Sequence, residues 1–169
     1  VTALFEVTAA DVADTSDDCY TPRWIFDAAG LTFDMDVASP VDPDRRTCPA
    51  HAYLTVIEDG LTAPWEGLVW MNPPFSDLRA WVERFAAHGC GLAFVPTPRK
   101  ENYWVGRLMR AADAMALISS DFINPDGSLK RIHYMMLLVA CGPVAVDALT
   151  RVAAADKYIG GAYHVRPDG

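Results

Sequence analysis

The run Gly67-Leu68-Val69-Trp70-Met71 passes directly into Asn72-Pro73-Pro74-Phe75. A short apolar run bounded by a turn signal has the length of a buried strand and not of a helix. Proline cannot donate to a strand ladder, and it holds the residue before it extended, so the strand has to stop at Asn72. A plain stop turn is the simplest reading, since Asn-Pro commonly initiates turns. A generic turn, however, needs neither a second proline nor an aromatic after it. The tetrapeptide reads as a stiffened loop at the carboxyl end of a strand, where open α/β sheets hold their ligands.

The remaining segments supply the other parts of such a sheet. Thr21-Pro22 opens a helix with Trp24, Ile25 and Ala28 at helical spacing, and Gly30 ends it. Leu31 to Ala38 alternates apolar and acidic residues, the period of a strand. A loop rich in Pro, Asp and Arg covers Ser39 to Pro49, Ala52 to Ile57 is a second short strand, and Glu58-Asp59-Gly60 breaks the chain. Asp77 to Ala87 is an amphipathic helix with Leu78, Trp81, Val82 and Phe85 on one face. Cys90 to Val95 is a buried strand, Tyr103 to Ala112 a helix and Ala114 to Ile118 a strand. Asn124-Pro125-Asp126-Gly127-Ser128 is a strong turn signal. Ile132 to Cys141 is a long apolar strand, and Val144 to Ala155 is helical. This alternation predicts a Rossmann-like α/β fold, a three-layer αβα arrangement with a mainly parallel sheet. A hairpin around Asn124 to Ser128 would give it an antiparallel edge.

At 169 residues the chain is expected to form a single domain over residues 1–169, large enough to bury a substantial core. Residues 1–18 hold Glu6, Asp11, Asp14, Asp17 and Asp18 and no basic residue. They form an acidic leader with little reason to be ordered, and they lack the positive start of a secretory signal. No run of about 18 apolar residues exists, so a soluble, cytoplasmic protein without a membrane span is expected. The four cysteines, Cys19, Cys48, Cys90 and Cys141, lie far apart and read as reduced thiols. Cys48-Pro49-Ala50-His51 has a spacing zinc can use but no second ligand pair, so no metal is expected.

The net charge of −8 is unusual for a nucleic-acid partner. It is unevenly spread. Residues 1–60 hold 12 acidic and 3 basic side chains, a balance of −9, and residues 61–169 hold 10 and 11, a balance of +1. Basic residues cluster at Arg99, Lys100, Arg107 and Arg110, and again at Lys130 and Arg131. Singly each reads as a solvated charge. As a set beside Asn72 they are candidate phosphate contacts.

The Asn72 motif suits one chemistry. An amine conjugated to a heteroaromatic ring is a poor nucleophile because its lone pair is delocalised. Two acceptors aimed at its N–H bonds favour a pyramidal nitrogen and free that lone pair for a methyl cation donor. The Asn72 side-chain carbonyl and the Pro73 backbone carbonyl are such acceptors, and Pro74 helps stiffen the loop that aims them. Phe75 offers an apolar face on which a base flipped from a duplex can stack.

With these residues in hand, the chain resembles the phage-type DNA N-6-adenine-methyltransferases, a branch of the S-adenosylmethionine (SAM)-dependent amino-methyltransferases. The matching segments are Tyr20-Thr21-Pro22-Arg23-Trp24-Ile25-Phe26-Asp27, Phe33-Asp34-Met35-Asp36-Val37-Ala38, Asp59-Gly60-Leu61 with Trp65, and Val69-Trp70-Met71-Asn72-Pro73-Pro74-Phe75 with Trp81-Val82. The resemblance runs from about Cys19 to Arg110. It implies SAM as cofactor, DNA as substrate and methylation of adenine N6; a phage-encoded member would act in the cytoplasm of a bacterial host. It also implies that Tyr20, Thr21 and Pro22 close over the methionine end of SAM. Asp36 would take the ammonium, Ala38 would lie in the cofactor turn, Asp59 would accept from the cofactor adenine, and Asn72 would face both ligands. The chain departs from the wider pattern in one respect: Asp36-Val37-Ala38-Ser39-Pro40 stands where a Gly-rich turn is usual. No single carboxylate stands out for the ribose hydroxyls, for which Asp42, Asp44 and Glu58 are all candidates.

Two other readings compete. RNA and protein-glutamine methyltransferases also use an Asn-Pro-Pro-aromatic loop, although the glutamine enzymes usually carry a Gly-rich first motif and a helical domain missing here. A non-catalytic SAM-binding regulatory module is the third, and it has no need of Asn72 or Phe75. DNA contacts are expected at Arg99 and Lys100 in the Pro96 to Tyr103 loop, and at Lys130 and Arg131 in the Asp121 to His133 hairpin.

Overall fold

A computed structural model describes residues 19–98, 104–158 and 161–164. The acidic leader, residues 1–18, lies outside the described residues.

Helix α1 spans Arg23–Ala29, starts after Pro22 and ends at Gly30, whose left-handed φ of 62° returns its N–H to the Phe26 carbonyl. Arg151 caps the same end by donating from Nε and Nη2 to the Ala29 carbonyl. Strand β1 (Phe33–Asp36) pairs in parallel with β2 (Ala50–Tyr53) and with β3 (Val69–Met71). A short 3-10 turn, Phe75–Asp77, leads from β3 into α2 (Leu78–His88), and β4 (Gly91–Pro96) returns beside β3 in parallel. After α3 (Val105–Ala111) come β5 (Ala114–Ile118), β6 (Phe122–Ile123), β7 (Leu129–Lys130), β8 (Met136–Cys141), α4 (Pro143–Ala155) and β9 (Tyr163–His164).

The main sheet has seven strands in the order β2-β1-β3-β4-β8-β5-β9. Strand β8 lies antiparallel between β4 and β5, and β9 pairs antiparallel with β5. The hairpin expected at Asn124 to Ser128 forms as β6–β7 but makes a separate two-stranded sheet. Five of the seven main strands therefore share one direction, and the antiparallel members are β8 and β9. The architecture is Rossmann-like.

Successive side chains on each strand enter opposite layers. Trp70, Leu92, Phe94, Leu138 and Ala140 pack in one apolar layer with residues of α1 and α4. Val69, Met71, Ala93, Val95 and Val139 pack in the other with residues of α2 and α3. With both faces covered, β3 and β8 are buried at every position, which is why they read as unbroken apolar runs. Phe26, Phe33, Trp70 and Phe94 form a continuous chain of aromatic contacts under α1. Each such side chain contributes roughly 1.5–3 kcal/mol of burial free energy.

Strand β1 covers only Phe33–Asp36 of the expected Leu31 to Ala38, and two further strands differ from expectation. The second strand ends at Tyr53 instead of Ile57, because Thr55 donates from N and Oγ1 to Glu58 and its hydroxyl accepts from Ile57 N. Those local bonds wind the chain into a turn, leaving Val56 and Ile57 exposed. Strand β8 starts at Met136 instead of Ile132, whose N–H is held by Asp121 Oδ1.

Candidate active site

The carboxyl ends of β1 and β3 emerge side by side. Asp36 stands level with Trp70, two residues before Asn72, and the chain turns at Val37 and Ala38, where the Val37 N–H donates to the Trp70 carbonyl at 3.1 Å. Asn72 is half-buried, and its Nδ2 donates to the Cys19 carbonyl at 2.9 Å. Its Oδ1 is buried and accepts no hydrogen bond. An acceptor left so costs about 1–3 kcal/mol. The amide is therefore held with its acceptor end turned away from the protein's own donors.

Pro73 is buried and Pro74 exposed, so the loop is anchored at its first proline. Phe75 opens the 3-10 turn and meets Phe122 edge-on, with ring centroids 5.9 Å apart. Cys19 and Tyr20 reach this edge because Tyr20 and Ile123 exchange two backbone hydrogen bonds of 2.9 Å.

Around this loop lie further buried polar groups. Thr21 Oγ1 is buried without a hydrogen-bond partner, and the buried Ser39 hydroxyl lies beside the Asp36 carboxyl. Asp36 is buried; desolvation pushes its carboxyl up to about 7, opposed by the Ala38 N–H at 3.3 Å, by the Ser39 hydroxyl and by the Arg46 guanidinium. A buried carboxyl whose pKa is raised by desolvation gains strongly when a further cationic group arrives.

Asp59 sits in the connection after β2, in a left-handed conformation with φ of 56°. Its carboxylate accepts from Leu61 N at 3.1 Å and from the Thr62 hydroxyl at 3.0 Å. Gly60 brings this connection to the site: a Cβ there would lie 2.0 Å from the Val37 carbonyl and 2.7 Å from Trp81. Sequence reasoning missed what secures it. Trp65 Nε1 donates to the Gly60 carbonyl at 2.7 Å, and Arg84 on α2 donates to the Leu61 and Ala63 carbonyls. Trp65 was visible within the matching segments; a single arginine on an amphipathic helix carries no such signal.

Of the ribose candidates, Asp42 caps the turn Pro43–Arg45 and pairs with Arg45 at 3.3 Å. Asp44 is exposed. Glu58 is held by the Thr55 hydroxyl and N–H, which lower its pKa. Among the basic residues, Arg131 is exposed, whereas Lys130 is half-buried and donates from Nζ to Cys19 Sγ at 2.7 Å. Arg99 and Lys100 lie outside the described residues. Cys48 is buried, and desolvation, then the Asp36 charge, push its thiol pKa up; His51 is exposed.

A Rossmann-like sheet whose strand β3 ends in Asn-Pro-Pro-Phe, with an unpaired acceptor on the asparagine, is compatible with a methyltransferase. Residues 9–124 match the family DNA N-6-adenine-methyltransferase (Dam). The match covers more than half of the chain, which belongs to this family of DNA adenine methyltransferases. No curated protein matches it. Among the described residues no helix is long and apolar enough to cross a membrane.

Proposed function

We propose that this chain transfers the methyl group of SAM to N6 of an adenine flipped out of duplex DNA. The observation that carries this reading is the buried, unpartnered Oδ1 of Asn72 beside an Nδ2 already committed to Cys19. Oδ1 would accept one N–H of the adenine amine and the Pro73 carbonyl the other, and the nitrogen lone pair would be freed for attack. Phe75 would stack against the base and hold it at that distance.

The residues present suit SAM. The buried Thr21 Oγ1, which has no partner, matches the need of its carboxylate for a donor. The buried Asp36 carboxyl matches its ammonium. Ala38 is small enough for close approach, and Tyr20 and Pro22 flank Thr21 over the same edge. When bound, SAM supplies an electrophilic methyl on its sulfonium. Asp59 would accept from the cofactor adenine, with its backbone held in place by Gly60, Trp65 and Arg84. Arg131, with Arg99 and Lys100, would contact DNA phosphates.

Methyl transfer from SAM to DNA, RNA and protein, assayed in parallel, tests the reading. DNA should be methylated at adenine N6, and Asn72→Ala should abolish transfer while SAM binding is retained. Methylation of RNA or glutamine alone, or of nothing, would reject it.

A further inference from the structure

The chemistry asked of Asn72 depends on which end of its amide faces the substrate. Oxygen and nitrogen occupy nearly the same space, so shape alone does not choose between the two orientations. The Cys19 carbonyl does. It accepts from Nδ2 at 2.9 Å, and a flipped amide would set two acceptors against each other there. The position of that carbonyl is in turn set by the β6–β7 hairpin. Tyr20 is bonded twice to Ile123 on β6, and Lys130 on β7 donates to Cys19 Sγ at 2.7 Å. Phe122, paired across the hairpin with Lys130, also meets Phe75.

We infer that the β6–β7 hairpin, acting through Cys19, sets the orientation of the Asn72 amide, and that Lys130 and Cys19 are positioning residues for the transfer. The inference rests on the proposed role of Asn72. It assigns Lys130 a task different from a phosphate contact, because its ammonium is directed at a side chain within the site's frame. Three segments widely separated in sequence, around residues 19, 72 and 130, have to meet for this relay to exist.

The test is steady-state kinetics of Lys130→Met, Cys19→Ala and their double variant, with Lys130→Arg and Cys19→Ser as conservative controls and Asn72→Ala in parallel. Lys130→Met and Cys19→Ala should each lower kcat about tenfold, below the roughly 10²-fold that a 1 Å misplacement costs. KM for DNA and for SAM should stay within about twofold, and the salt dependence of DNA binding should not change. The double variant should be no worse than either single variant, as expected for residues acting through one contact. Lys130→Arg and Cys19→Ser should retain most of kcat. If Lys130→Met does not fold, Cys19→Ala against Cys19→Ser carries the comparison. A raised KM for DNA with a shallower salt slope, additive losses, or an unchanged kcat would overturn the inference while leaving an inactive Asn72→Ala intact. An active Asn72→Ala would instead overturn the role of Asn72, and the positioning role with it.

Discussion

The Arg84 guanidinium lies over the Trp65 indole, 4.8 Å from its ring centre, and donates to the Leu61 and Ala63 carbonyls. Trp65 in turn stacks on Trp81, with centroids 6.3 Å apart. One side chain from α2 thus pins the connection that carries Asp59 to the carboxyl edge of the sheet. Arg84→Lys keeps the charge but loses the planar fork and the stack. Losing one charge-assisted bond of this kind should destabilise the protein by about 2 kcal/mol, or roughly 4–8 °C in Tm. Differential scanning calorimetry measures it, and a Tm within 1 °C of wild type would contradict the clamp.

Gly60 has no room for a side chain. An added methyl would meet a backbone carbonyl, Val37 O, which cannot step aside as a flexible side chain can. Gly60→Ala should therefore lift the Asp59 turn off β1 and weaken SAM binding at least about tenfold, since near-contact misplacement has effects of that size. Gly127→Ala, where a Cβ would meet nothing within 4 Å, is the comparison for a strained glycine far from this contact. Calorimetric titration with SAM should separate the two variants.

Asp36 makes a pH prediction with a definite sign. Its folded pKa of about 7 lies above the ordinary value of 3.8, so the native state holds this proton more tightly than the unfolded chain does. Stability contributed by the proton is full below about pH 4 and is lost as pH rises through 7. Without ligand, Asp36→Asn should be more stable than wild type at pH 8, and the gap should close towards pH 4. Urea melts across that range decide the matter; equal stabilities at pH 8 would rule out an unpaired buried carboxyl.

Phe75 bridges the two apolar layers and rests on Phe122. Phe75→Ala should cost about 1–2 kcal/mol, less than the 3–5 of a fully buried phenylalanine, because the ring is only partly buried. It should also raise KM for DNA more than for SAM. Phe75→Tyr, which keeps the flat face, should preserve KM. Equal KM values for DNA in the alanine variant and wild type would remove the stacking role.

Much of the fold was legible because its signals are local. Pro22 and Gly30 bracket α1, Ala114–Ile118 is a strand at its expected bounds, and the Asn124–Ser128 turn closes a hairpin. Where local hydrogen bonding overrides pattern, legibility stops: Val56-Ile57 reads as strand and sits exposed in a turn held by Thr55 and Glu58. The insertion of β8 between β4 and β5 was also hidden, because an apolar strand buried on both faces reads the same in either direction.

The proposed reacting motif, Asn72-Pro73-Pro74-Phe75, is legible without a structure, since two prolines stiffen any chain that contains them. The direction in which the Asn72 amide points is set by the folded chain. That choice belongs to the Cys19 carbonyl, 53 residues away in sequence, and to Lys130, 111 residues from Cys19. Amide orientation is set by hydrogen-bond partners and not by covalent geometry, and those partners meet only when the sheet and the hairpin are folded.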